Sequence, residues 1–259
     1  RQVLTQTQTS ATGMFLAIIA TLISVTLLNK FSKNDKLKIK MHESVPPSIA
    51  RSFNVLIPAF LVTTIIGLVE VLVVWLLHTD IPALIERFFQ APLLASFQSL
   101  GGVLIYVFLS NLLWAFGLHG TFILGSIGEP VMLTAIQQNM DALKKGTELP
   151  NIVTKPFLDC FGWMGGGGML FCLVIAILIA SKREDYRSIT KVGLIPSAFN
   201  VSEPLMFGLP VVFNPLLAVP LIVVPMLTTT IAYVATSVGL IAKTSALIPV
   251  SYIHLTLPT

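Results

Sequence analysis

Charge is what this chain has least of. Only 11% of its 259 residues are Asp, Glu, Lys or Arg, against about 25% in a soluble domain. Cysteine is nearly as scarce: Cys160 and Cys172 are the two in the sequence, both in apolar stretches. Two is too few for a disulfide frame, and their setting argues against a metal site. They read as inert buried thiols. No metal and no cofactor is expected. A signal-peptide pattern is also missing, and the chain opens at Arg1 without an initiator Met. The chain also stops soon after its last apolar span, in SYIHLTLPT, and is expected to be a piece of a longer protein.

What is present is apolar. Hydrophobic residues make up 54% of the sequence, and the mean hydropathy is +0.86. Several apolar runs approach 20 residues, the length of a helix that crosses the hydrocarbon core of a bilayer. The expected fold class is therefore an all-α polytopic membrane protein, a transmembrane helix bundle in contact with lipid. Spans are expected over 13–29, 53–77, 100–117, 161–180 and 216–241, with an amphipathic segment at 81–97 that carries Glu86 and Arg87. Glu70, inside the second span, is expected to face a helix partner or a cavity. The formal charge of +4 arises from 16 Lys and Arg against 12 Asp and Glu. These cations gather in short loops, at 30–51 and 181–191, as the positive-inside rule places them. They give no reason to expect nucleic acid as a partner.

Two stretches break the span pattern. IPSAFNVSEPLMFGLPVVFNPLLAVPLIVVP (195–225) holds six prolines together with Asn200, Glu203 and Asn214. Each proline removes a backbone donor and clashes with the preceding turn, so one uninterrupted helix is excluded. Bare backbone in lipid is untenable, so such a stretch must be buried in protein or line a watery cavity. A broken, re-entrant hairpin near 193–215 follows. The second stretch, GLHGTFILGSIGEPVMLTAIQQNMDA (117–142), sets His119 between Gly117 and Gly120, ahead of Gly125, Gly128 and Pro130. Its glycine and proline density predicts a second hairpin near 118–142. SIGEPVM (126–132) echoes NVSEPLM (200–206), and paired interrupted segments in transporters point to a binding site between repeats. Four further glycines, 165–168, permit either close helix approach or close approach of backbone to a ligand.

His119 and Glu203 can face one polar cavity from two sides. A carboxylate accepts hydrogen bonds from sugar hydroxyls, and a neutral imidazole accepts or donates. Either is chemically able to act as general base for a hydroxyl that attacks an activated phosphoryl group. Each also has a plainer reading: His119 bonded to backbone, and Glu203 placed at a helix N-terminus.

NVSEPLMFGLPVVFNP (200–215) resembles the signature of the membrane-embedded sugar permease, enzyme IIC, of the bacterial phosphoenolpyruvate-dependent phosphotransferase system. The pattern is met by Asn200, Glu203, Pro204, Phe207, Gly208, Pro210, Asn214 and Pro215. GLHG (117–120) is similar to the family's histidine segment, and ESVPPSIARSFNVLIP (43–58) to the segment before its long interface helix. The similarity is strongest to the lactose and cellobiose/diacetylchitobiose branch. It implies a multi-pass protein of the bacterial inner membrane and a homodimer whose scaffold is 1–97. The transport region would be 98–259, with the substrate between two re-entrant hairpins. The implied substrate is a β-linked disaccharide such as cellobiose or lactose. Its 6-hydroxyl would be phosphorylated by a phosphocysteine on a IIB protein or domain, which this chain does not contain. Carried over residue by residue, Glu203 and His119 match the sugar-contacting and catalytic acid and histidine. Asn200, Gly120 and Asn214 complete the candidate substrate-binding set. The competing reading is an ion-coupled secondary sugar transporter with discontinuous helices, in which Glu203 and Glu129 carry the coupling ion. A purely structural membrane subunit fits the polar hairpin least.

Overall fold

The computed structural model describes residues 13–39 and 46–246. The polar opening segment 1–12, Lys40, Glu43 and the closing SYIHLTLPT lie outside the described residues. All regular structure among the described residues is helical. The chain forms two compact units, divided between Pro92 and Leu93.

The first unit contains α1 (Met14–Ser32), α2 (Pro47–Asn54), α3 (Leu56–Leu77) and the short α4 (Ile81–Ile85), which continues as a π-helical turn over Glu86–Gln90. Pro47 stands at the first position of α2, where its missing N–H costs nothing. His78 ends α3 in a left-handed conformation, and Asp80 caps α4 by accepting the Ala83 N–H at 2.8 Å. Glu70, the lone acid of the long span, accepts the Ile81 N–H at 3.2 Å. Its place is thus explained locally, by the free backbone donors of a helix start.

At the junction lies α5 (Ala91–Gln98). The second unit continues with α6 (Leu100–Ala115), α7 (Gly120–Lys144), α8 (Lys155–Phe161), a 3₁₀ turn at Gly167–Met169, α9 (Leu170–Ala180), α10 (Glu184–Ala198), α11 (Glu203–Gly208) and α12 (Pro215–Ser237). Its core joins Trp114 and Ala115 of α6, Leu170, Val174 and Ile177 of α9, Leu205 and Met206 of α11, and Leu221 of α12. Lipid tails are as apolar as leucine, so close packing and internal hydrogen bonds hold such a core. Asn139 and Asn151 bond to each other, side-chain amide to backbone, at 2.8 and 2.9 Å, and so fix the connection between α7 and α8.

Three helices among the described residues are long and apolar enough to cross a membrane: Met14–Ser32, Ser52–Leu77 and Pro215–Ser237. A bent pair, Ile81–Gln98 with Leu100–Ala115, makes a fourth if counted as one span. The expected break in 195–225 is present, at 199–202 and again at 209–214. Pro220 and Pro225, however, sit inside the continuous α12.

Four expectations are corrected. Residues 118–142 do not form a hairpin, because α7 runs unbroken from Gly120 to Lys144 with Pro130 inside it; the break comes earlier, at Phe116–His119. Gly128 is there for packing: a Cβ would collide with the ring and hydroxyl of Tyr106. The SIGEPVM and NVSEPLM echo therefore has no structural counterpart, since Glu129 lies mid-helix and Glu203 at a helix start. The span expected at 161–180 begins only at Leu170, because the glycines before it adopt positive φ. Cys160 and Cys172 are exposed rather than buried. A helix facing lipid is as apolar as a core helix, and composition does not separate the two.

Candidate functional site

The site begins where α6 ends. Gly117 takes φ +76°, open to glycine and strained for other residues, and the chain reverses into α7. His119 is the N-cap of α7: its Nδ1 accepts the Phe122 N–H at 3.2 Å and stands 3.1 Å from the Thr121 hydroxyl. The imidazole is flanked by Trp114 and Phe122, with ring centroids 4.2 and 4.1 Å away.

The opposite wall comes from 84 residues further on. Glu203 occupies the first turn of α11, after the 199–202 break. Its Oε1 lies 3.3 Å from His119 Nε2. Because a backbone N–H can only donate, Nδ1 is committed as acceptor, and the neutral ring carries its proton on Nε2, directed at Glu203. The side chains of His119 and Glu203 are 31% and 43% exposed. A contact this open contributes little to stability. It leaves the second carboxylate oxygen to accept a hydrogen bond from a ligand.

The glycine turn ties the walls together. Asn200 takes φ +62°, and its Oδ1 accepts the Gly165 N–H at 2.6 Å. Asn111, fully buried on α6, accepts the Gly168 N–H at 2.8 Å through its own Oδ1. Gly166 leaves room for Ser202, the neighbour of Glu203, and Gly167 for the Trp114 indole beside His119. A further bond, from the Phe213 N–H to the Ala115 carbonyl at 2.9 Å, holds the second break against the end of α6.

Of the candidate residues, His119 and Glu203 meet directly, and Asn200 is bonded to the glycine turn. Gly120 is buried where α7 presses on the Ser110 carbonyl, so it serves helix packing. Asn214 caps α12 by accepting the Leu216 N–H at 3.0 Å. Gln137 donates to Asp141 and Gln138 accepts from Asn151, so both are taken up locally. Asn111, Trp114 and Phe122 were missed as site residues. The spacing of Asn111 and Trp114, three apart on one helix, was visible in the sequence; their partner across the chain was not. The stretch 181–191 expected as a loop is helical from Glu184 onward, and at this start of α10 the Arg183 guanidinium bonds Asp185 and holds its carboxyl below the usual carboxylate range. Both groups are exposed.

The family model for Phosphotransferase system, EIIC matches residues 1–225. The chain belongs to this family. It is 40% identical over 232 residues to the PTS system oligo-beta-mannoside-specific EIIC component of Bacillus subtilis (strain 168), covering 89% of this chain and 52% of that protein. It is 31% identical over 235 residues to the PTS system cellobiose-specific EIIC component of Geobacillus stearothermophilus, covering 90% and 52%. Its fold matches the crystal structure of the transporter ChbC, the IIC component from the N,N'-diacetylchitobiose-specific phosphotransferase system. That match has a TM-score of 0.88 and 35% identity, over 96% of this chain and 58% of ChbC. The chain thus spans about half the length of the curated relatives it matches. As an EIIC chain, it is an integral protein of the bacterial plasma membrane.

Proposed function

We propose that this chain carries the sugar-handling region of a phosphotransferase-system permease, and that His119 and Glu203 hold the hydroxyl that becomes phosphorylated. The observation that carries the reading is the 3.3 Å contact between an imidazole Nε2 and a carboxylate contributed by two separately broken segments. The substrate class is a β-linked disaccharide, since the EIIC relatives are named for oligo-β-mannoside and cellobiose, and the structural neighbour for diacetylchitobiose.

The roles follow from the hydrogen-bond assignment. Glu203 accepts from the 6-hydroxyl through its free oxygen and takes the proton as the hydroxyl oxygen attacks phosphorus. The phosphorus–sulfur bond of a phosphocysteine on IIB breaks in the same step, and the thiolate leaves. His119 donates its one Nε2–H to the carboxylate and so orients it toward the sugar hydroxyl. Asn200 acts from behind, through the glycine turn. The protein partners are phosphorylated IIB and a second copy of this chain.

Uptake by membrane vesicles tests this. With full-length protein, cellobiose or β-mannobiose should accumulate as sugar phosphate only when phospho-IIB is supplied inside. Free sugar accumulating in response to an ion gradient, without IIB, would overturn the proposal in favour of an ion-coupled transporter.

A further inference from the structure

A cavity of about 250 Å³ lies between α9 and α12, on the far side of the glycine turn from neither helix alone but from both. Leu173 and Ala176 line it from α9, and Leu217, Leu221 and Val224 from α12. Both sets recur at helical spacing, so each helix turns one face to it. The lining side chains are hydrocarbon or sulfur throughout, and no side-chain nitrogen or oxygen of the described residues is among them. An apolar cavity holds water poorly: one of roughly 150 Å³ stays dry and takes up benzene. The space therefore suits a hydrocarbon and rejects any group that must keep its hydration.

The cavity has a deep end and a mouth. Gly168, Met169, Leu170 and Val211 are buried, whereas Cys172, Ala176 and Pro220 are exposed. Beside the mouth stand Ile175 and Ile179 of α9 and Val219 and Val223 of α12, all exposed. α12 is long and apolar enough to cross a membrane, and an EIIC chain resides in one. The mouth is thus continuous with an apolar surface suited to the bilayer, whose tails are as apolar as leucine.

At the deep end, Gly168 and Met169 take φ of +73° and +53°. For Met169 this is a costly conformation that persists only where the surroundings hold it. Leu221 packs over Gly168, where a Cβ would come within 1.9 Å of its Cδ1, and the Met169 sulfur lies 3.0 Å from the Thr228 hydroxyl. Whatever fills the cavity rests against this turn and supplies the dispersion contacts that a void forfeits.

We propose that the cavity is a lipid site: the end of one phospholipid acyl chain enters between α9 and α12 and lies against Gly168 and Met169. The inference rests on the membrane location of the chain and is independent of the sugar reading. The site recognises hydrocarbon and makes no demand on the headgroup.

The test uses full-length protein in phosphatidylcholine vesicles that contain a phosphatidylcholine with a diazirine at the end of one acyl chain. After illumination, the cross-linked residues are mapped by mass spectrometry. Wild type should carry adducts on the buried Met169 and Leu221 as well as on the outward Ile179 and Val219. Ala176→Phe fills the mouth from α9 and should lose the buried adducts while keeping the outward ones. Val224→Phe fills the cavity from α12 and should show the same selective loss, which decides the matter if the first variant does not fold. Val223→Phe, beside the mouth but not in the wall, should keep both sets. Wild type with outward adducts alone would show that the rest of the full-length chain closes the cavity, and would overturn the lipid site. Buried adducts that survive both filling variants, or that are lost equally in Val223→Phe, would overturn it as well.

Discussion

His119 accepts at Nδ1 and donates at Nε2, while Glu203 only accepts, so the two cannot exchange roles without breaking the cap of α7. That asymmetry favours Glu203 over His119 as the proposed general base, a choice that residue types alone left open. Glu203→Gln keeps size and hydrogen bonding but cannot take a proton. It should reduce sugar phosphate formation by roughly 10²–10⁴-fold, the usual contribution of a general base, while sugar binding weakens much less. Wild-type phosphorylation rates in that variant would remove Glu203 from the chemistry. His119→Ala confounds two effects, because losing an N-cap costs about 1 kcal/mol. His119→Asn separates them: Asn is among the best N-caps but places no donor where Nε2–H stood. Helical content by circular dichroism should stay at wild-type level, with sugar affinity lowered about tenfold. Unchanged affinity would show that His119 acts only as a cap.

At the scale of elements, the breaks matter more than the helices. The turn at 165–168 donates hydrogen bonds to Asn111, 57 residues from Gly168, and to Asn200, 35 residues from Gly165. Gly166 stands at φ +90° and ψ −164°, a region that belongs to glycine. An alanine there costs about 1–3 kcal/mol in backbone strain and also drives a methyl into Ser202. Gly166→Ala should lower the melting temperature by about 2–4 °C per kcal/mol lost, and sugar affinity should fall with it as Glu203 shifts. Gly101→Ala, in α6 with open space around it, is the control and should melt no lower than wild type. If the two variants melt alike, the turn is not the tie described. The sequence showed the four glycines but not their partners, because hydrogen bonds across 35 and 57 residues leave no periodic trace. It also misjudged 118–142. Glycine and proline were read as breakers there, whereas Gly128 admits Tyr106 and Pro130 is tolerated inside a packed helix. The breaks at 199–202 and 209–214 were legible because prolines and polar residues coincide there, and two independent signals agreed.

The distribution of polarity over the molecule inverts that of a soluble protein. Trp75, Ile179 and Leu216 are among the most exposed side chains, while Ser110, Asn111, Asn139, Thr190 and Thr229 are completely buried. Water would not stabilise such a surface, but hydrocarbon does, and buried Asn111 and Asn139 tie their helices to the segments beside them by hydrogen bonds. Hydropathy made the membrane legible from composition alone. It could not say which face of each helix meets lipid, hence the error over the two cysteines. Leu227 tests the lipid face directly. It lies near the middle of α12 and is 56% exposed. If that face lies in hydrocarbon, Leu227→Lys costs about 2.5–3.5 kcal/mol on insertion scales. Membrane-extracted full-length protein should then fall sharply in monodisperse yield, while Leu227→Phe stays at the wild-type level. A water-facing position would change stability by only about 0.5 kcal/mol for either substitution. Equal yields of the Lys and Phe variants would therefore take this face of α12 out of the bilayer.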